Sequence, residues 1–533
     1  MSRQTLSGKE LRSKLLEGVN ILASAVIATL GPKGRTVILE RDARWPPAVT
    51  KDGVTVSKEV RDLACPYANA GAHLIREAAS KTSDDSGDGT TTSTLLAQVI
   101  FQKGIEALDA GANPVALNRG IAAAVAVVVE HIKAIAQPVQ DDETIARVGT
   151  IASNGDRSIG ELIALAMKRV GRDGVITIAE SSDAETTLQI VEGMQIDRGW
   201  LAYPFITDPE RLEATLHEPY ILLTERKLFT MTPEIDTVLA QVGQAGKPVL
   251  IVAGDYDQPF VVSLIHNKQL GVLHSLPVKA PAFGDLRRAT LEDMATVTGA
   301  YAFTEDCGRP LSSVTMADLG RAVRVTCGQN HTTIAGGYGD EHAKESRMTL
   351  LRSLIEATEN DLDKERLRQR LARLASGVAV IRVGAVTEGE MRERRDRVED
   401  AVCATRAAVE EGIVPGGGKA LLCQQSDLDI FKDKFSGDEL AGVRIIQQAL
   451  EYPARQIALN AGLDANMIIT KYARGTGPIN WGFNAATETW EDLIQTGVID
   501  PAKVVRCALQ NAASVAALLL TTECMVAEIR EKK

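Results

Sequence analysis

A chain of 533 residues exceeds what one hydrophobic core supports, since cores stop growing at roughly 250–300 residues, so two or three domains are expected. Hydrophobic residues at 45% and charged residues at 24% exclude a disordered or fibrous chain, while 4% aromatics and 44 glycines imply a core of aliphatic and small side chains. The net charge of −11 argues against a nucleic-acid partner, because phosphate binding by counterion release needs clustered Lys and Arg.

The polar amino terminus, "MSRQTLSGKELRSKLLEGVN", lacks the apolar stretch of a signal peptide. Leu11, Leu15, Val19, Leu22, Val26 and Leu30 then step by three or four, one face of a long helix that stops at "GPKG". "RTVILE" and "PAVTKDGVTVS" read as short strands, the second broken by a Lys51-Asp52-Gly53 turn of the hairpin kind. Leu95, Leu96, Val99, Ile100, Ile105 and Leu108 mark another helix, and Asn113 with Pro114 caps the next. The most apolar run, "IAAAVAVVVEHI", is cut by Glu130 and is shorter than the ~20 residues of a membrane span, so no membrane segment and a cytoplasmic location are expected.

From about residue 135 the character changes. "GVITIAE", "YILLTE", "KPVLIVAGD" and "GVLHSLPVKAP" are strand-length apolar runs between helical stretches, which indicates an α/β region. Residues 346–375 read as a helical hairpin whose second helix is capped by Asp361 or Asp363. From about 400 to the end the pattern is helical again. A middle region inserted into a helical domain made from both ends accounts for this order.

The chemistry concentrates in "DDSGDGTTTSTLLAQ", residues 84–98. Gly87-Asp88-Gly89-Thr90-Thr91-Thr92 sits directly before an apolar helix, and a helix amino terminus binds phosphate. Asp88 beside phosphate calls for a cation between them, and Mg²⁺ takes both kinds of oxygen. A plain N-capped helix after a turn uses the same residue types, and the run alone does not separate the two. "TLGPKGRT", "TKDGVT" and "VPGGGKAL" are further glycine-bearing corners open to both readings. No G-x-x-x-x-G-K-[ST] and no strand-borne G-x-G-x-x-G occurs, so a P-loop or dinucleotide fold is excluded. The seven cysteines form no C-x-x-C and the seven histidines are scattered, which argues against zinc or a disulfide frame.

Taken in order, "ATLGPKGRTVILE", "TKDGVTVSKEV", "SGDGTTTSTLLAQ", "VEGMQIDRGW", "VKAPAFGD", "RVEDAVCATRAAVEEGIVPGGG", "NAATE" and "AASVAALLLTTECMV" resemble the bacterial-type (group I) chaperonins, the GroEL family. The resemblance runs from about residue 11 to residue 528. It implies the multidomain chaperonin fold: a mainly α equatorial ATP-binding domain with small β hairpins (1–134 and 412–533), with α/β intermediate (135–191 and 378–411) and apical (192–377) domains hinged at Gly193, Gly377 and Gly412.

It also implies ATP with Mg²⁺ as cofactors. Thr29, Leu30, Gly31 and Pro32 match the phosphate and ribose side, Lys51 a phosphate contact, Asp88 the Mg²⁺ ligand, and Gly89, Thr90, Thr91 and Thr92 the phosphate cradle. Gly417 matches a sugar contact, Asn484, Ala485 and Ala486 the base, and Asp500 the ribose hydroxyls, while Asp52 and Asp400 match the carboxylates that position the attacking water. Trp200, Phe205, Leu239, Val261 and Ile265 match an apolar client groove. The implied protein is an ATPase that captures non-native proteins, assembles as two stacked heptameric rings and takes a GroES-type lid. Asp236, His266, Pro204 and Ser376 depart from the family's pattern, and the first three favour an alternative: a paralogue with restricted clients that works as a protein-binding scaffold.

Overall fold

In the computed structural model, residues 1, 41–46, 140, 154, 172–173, 182–183, 192, 210, 230–231, 359, 376, 475–476 and 530–533 lie outside the described set, Ser376 among them. The chain divides into two units. One comprises Met1–Leu165, Glu180–Thr186 and Val383–Lys533; the other comprises Ala166–Ala179 and Thr187–Arg382.

The first unit is helical. Leu11, Leu15, Val19, Leu22 and Val26 are buried along one face of the helix Gly8–Ile27, as their spacing requires. This helix ends at Ile27, so Leu30 falls in the turn beyond it rather than on the helical face. Pro66–Ser86 and Thr90–Asp109 pack against it, Ala502–Thr521 packs on these two and on Pro114–Ile135, and Gly437–Ala449 packs on Pro114–Ile135, all in one core. Close approach replaces aromatic bulk: a Cβ on Gly71 would stand 2.2 Å from the Leu15 carbonyl oxygen, and one on Gly18 1.7 Å from that of Ala68. Pro114–Ile135 begins as expected, with Asn113 Oδ1 accepting from the amides of Val115 and Ala116. This helix and Ala502–Thr521 are long and apolar enough to cross a membrane by length and composition, and both contribute to the core of this unit.

Two features of this unit differ from expectation. Residues 54–57, read as a strand after a turn at Gly53, belong to the helix Gly53–Glu59, because Asp52 is its N-cap and not a hairpin-turn residue. The strand before it, Ala48–Thr50, pairs antiparallel with Val37–Leu39. The chain ends also meet: Ser2–Ser7 pairs antiparallel with Cys524–Ile529, a long-range contact that local pattern does not encode.

The second unit is α/β. Its main sheet runs Ser275–Lys279, Val249–Ala253, Tyr220–Thr224, Gly320–Cys327, Thr332–Gly337 and Gly193–Ile196; the first three strands are parallel and the later neighbours antiparallel. Val249 to Ala253 are all buried, the continuous apolar run of a covered parallel strand. The helices Pro233–Gln244, Gln258–Gln269 and Gly284–Thr298 contribute to the same core. The helical hairpin is Glu341–Ala357 and Asp361–Ala375; Asn360 Oδ1 accepts from Leu362 N at the start of the second helix, whereas Asp363 lies inside it and pairs with Arg366.

Candidate nucleotide site

The 84–98 run splits into two helix ends. The helix Pro66–Ser86 closes on Gly87 (φ 72°), and the helix Thr90–Asp109 opens on Gly89 (φ 84°). Both glycines are required sterically as well as conformationally: a Cβ on Gly87 would stand 2.0 Å from Cys403 Cβ, and one on Gly89 2.7 Å from Val504 Cγ1. The Thr90 helix therefore starts on a residue with no side chain, and no side chain caps it. The cap reading left open by the sequence fails here, and the helix presents free N–H groups beside the Thr90, Thr91 and Thr92 hydroxyls. Between the glycines, Asp88 Oδ1 accepts from Gly89 N at 2.5 Å.

Two other segments meet this start. Asp52 accepts from Val54 N at 3.0 Å and Thr55 N at 2.7 Å, and Gly53 abuts Thr91, where an added Cβ would be 2.3 Å from Oγ1. Lys51 precedes this cap and is exposed. Thr29 Oγ1 lies 3.4 Å from Thr91 Oγ1, which brings in the Thr29–Leu30–Gly31–Pro32 corner. Asn460 braces that corner, its Nδ2 donating to the carbonyls of Ile27 at 2.9 Å and Leu30 at 2.8 Å.

Asp400, on the helix Glu388–Glu411, completes a group of carboxylates. Burial raises its proton affinity well above the usual carboxylate range, and the charges of Asp52 and Asp88 raise it further. Asp88 is pushed up by burial and by Asp52, against the lowering effect of the Gly89 N–H. Asp500, on the strand Ile499–Pro501 paired with Ile413–Pro415, is pushed up to about 7 by burial and by Asp88. Gly417 (φ 65°) follows that pair and faces Phe483, whose carbonyl oxygen would lie 3.8 Å from its Cβ. The next residue, Asn484, is buried with its amide already occupied: Nδ2 donates to Glu491 at 2.7 Å and Oδ1 accepts from Ala486 N at 2.9 Å.

Among the described residues no three His, Cys, Asp or Glu side chains form a ready metal cage. The donor set nonetheless fits Mg²⁺ held together with phosphate: mutually repelling hard carboxylates beside an uncapped helix start, with the ligand supplying the remaining oxygens. Cys403, Val504 and Asn460, which shape the site, carry no signal in the sequence alone.

The expected groove residues lie in the other unit. Val261 and Ile265 are half-buried along the helix Gln258–Gln269, and Trp200 is half-buried with Nε1 donating to the Leu212 carbonyl at 2.8 Å. Phe205 and Leu239 are only 1% and 3% exposed. They belong to the core beneath the surface and present nothing to a client, because sheet and helix pack over them. Tyr203 and Val262 are the exposed apolar neighbours, beside exposed His266, while Asp236 is exposed on Pro233–Gln244. Lys268 Nζ donates to the carbonyls of Pro204 at 2.8 Å and Ile206 at 3.1 Å, pinning the Tyr203–Phe205 turn to the helix, and burial lowers its pKa. Of the three expected hinge glycines, Gly377 (φ 60°) and Gly412 (φ 84°) hold left-handed backbone. Gly193 instead lies in a paired strand, where a Cβ would stand 2.2 Å from the Ile334 carbonyl oxygen.

A helical unit drawn from both chain ends and a separate α/β unit together make the multidomain chaperonin fold. The chain belongs to the TCP-1/cpn60 chaperonin family, whose sequence model matches residues 22–530. It is similar in structure to the chaperonin gp146 from the Pseudomonas aeruginosa bacteriophage EL, crystallised in the presence of ATP-BeFx, at 21% identity and a TM-score of 0.70 over 99% of each chain.

Proposed function

We propose that this chaperonin-family chain binds ATP with Mg²⁺ in its helical unit, hydrolyses it, and uses the cycle to capture non-native proteins and promote their folding. The observation that carries this reading is the meeting of Asp52, Asp88 and Asp400 at a helix start whose N–H groups no side chain caps. Gly89 to Thr92 receive the phosphates, Lys51 reaches them from solvent, and Asp88 holds the cation. Thr29 to Pro32 and Gly417 flank phosphate and sugar, the Asn484–Ala486 backbone flanks the base, and Asp500 takes the ribose hydroxyls. Mg²⁺, when bound, offsets the charge of phosphates and carboxylates. Asp52 and Asp400 orient a water, and Asp400 in its ionised form accepts the water's proton. The likeness to gp146, crystallised with ATP-BeFx, supports a nucleotide in this fold.

By the same resemblance we assign the group I type, the equatorial, intermediate and apical division with hinges at Gly377 and Gly412, paired heptameric rings, a GroES-type lid and a cytoplasmic location. Steady-state ATP hydrolysis tests the core of the reading: Asp400→Ala is expected to be at least ~10-fold slower than wild type, and equal rates overturn hydrolysis at this site. Negative-stain images with and without ATP test assembly, and a monomer in both conditions overturns the rings.

Burial of Phe205 and Leu239, with Asp236 and His266 exposed near the groove, favours a second reading: a scaffold for restricted partners. Vigorous hydrolysis without refolding of a denatured test protein would select it.

A further inference from the structure

One ion pair of the helical unit joins the two edges of the proposed nucleotide cleft. Lys33 follows Gly31 and Pro32 in the corner that flanks the phosphates, and Glu488 ends the turn between the strands Trp481–Asn484 and Thr489–Asp492, whose opening residues Asn484 to Ala486 flank the base. The Lys33 ammonium and the Glu488 carboxylate are in direct contact. The pair therefore ties together segments 455 residues apart in sequence.

Both anchors are stiff. The corner is closed by Gly34 N donating to the Gly31 carbonyl and Arg35 N to that of Ala28, and Asn460 braces it from below. The hairpin is held by the Asn484–Glu491 bond, by Phe483 N donating to Tyr472 Oη at 2.6 Å, and by the packing of the Tyr472, Phe483 and Trp490 rings. Glu488 itself sits at φ 60°, a left-handed conformation that a non-glycine residue adopts only where its surroundings hold it there. Neither segment yields easily, so the contact between them is the compliant element of the cleft edge.

We infer that the Lys33–Glu488 pair is a latch on nucleotide exchange: it closes beside bound nucleoside diphosphate and must open for release. This rests on the nucleotide site proposed above. Both side chains remain substantially exposed, 37% for Lys33 and 50% for Glu488, so the latch is weak and salt-sensitive and governs a rate rather than affinity as a whole.

The test is stopped-flow release of a fluorescent ADP analogue, chased with ATP, from the full-length protein with Mg²⁺. Lys33→Gln and Glu488→Gln are each expected to release the analogue about two- to fivefold faster than wild type. The charge-swapped double variant, Lys33→Glu with Glu488→Lys, is expected to restore the slow rate. Raising salt should accelerate wild type and leave the single variants nearly unmoved. Unchanged release in both single variants, with binding intact, overturns the latch while leaving the nucleotide site standing. Acceleration by Lys33→Gln alone also overturns it, since Lys33 would then act on phosphate without Glu488. Failure of wild type to bind the analogue at all overturns the nucleotide reading and the latch together.

Discussion

Asp52 serves structure and proposed chemistry with the same two oxygens. It caps the helix Gly53–Glu59 through two backbone amides and adds its charge to the field at Asp88 and Asp400. The two roles separate by substitution. Asp52→Asn keeps an acceptor for the cap, so it should lose hydrolysis with little change in stability. Asp52→Ala should lose hydrolysis and about 1 kcal/mol of stability as well, read from urea unfolding. Equal stability of the two variants would show that the cap contributes nothing. Asp500 carries a second residue-scale prediction. Its folded pKa is raised from an ordinary 3.8 to about 7, so the folded state favours the neutral form. The associated stability is fully present below about pH 4 and is lost as pH rises through about 7. Nucleotide-free Asp500→Asn should therefore gain melting temperature relative to wild type progressively from pH 4 to 7 and hold that gain above it. A pH-independent difference would refute this.

At the scale of elements, legibility followed period and range. The helices from Leu11 and Leu95 announced themselves by three-and-four spacing, and Asn113-Pro114 marked a start correctly. "GVTVS" was misread because its alternation suits a strand, and only the Asp52 cap and the contact of Gly53 with Thr91 make it a helix. Ser2–Ser7 and Cys524–Ile529 are strands because they find each other across the whole chain, which no local window reports. The carboxylates of the site were legible through motif resemblance, whereas Cys403 and Val504, the walls that force Gly87 and Gly89 to be glycine, were not. A buried cluster in the α/β unit shows the same limit. Asp293, only 2% exposed, accepts from Arg347 on one hairpin helix and Arg370 on the other, at 2.7–2.8 Å. Removing a carboxylate that pairs two largely buried guanidinium groups costs about 3–5 kcal/mol. Asp293→Ala should thus loosen both helices, seen as faster amide hydrogen exchange across 341–375 with the main sheet unchanged. Unaltered exchange there would mean that Leu351, Leu374 and their apolar neighbours hold the hairpin without the ion pairs.

For the whole molecule, the decisive fact is where each core finds its residues. The α/β core from Met194 to Leu374 is drawn from one continuous stretch of chain. The helical core is not: Leu11 to Ile132 are buried together with Val414 to Leu520, and Ala502–Thr521 packs on helices from the first third of the chain. Cutting the chain should therefore have opposite results in the two places. Residues 193–375 alone retain every buried member of their core and should unfold cooperatively in urea with near-native far-UV circular dichroism. Residues 1–165 alone lose the partners that cover Leu96, Ile100 and Leu117 and expose apolar helix faces, so they should bind a hydrophobic dye and unfold without a sharp transition. Adding residues 383–533 in trans tests the cause directly. Recovery of a cooperative transition in the mixture means that the missing carboxy-terminal helices alone were the deficit, and continued non-cooperative unfolding means that covalent continuity through the middle of the chain is needed to bring the two ends together.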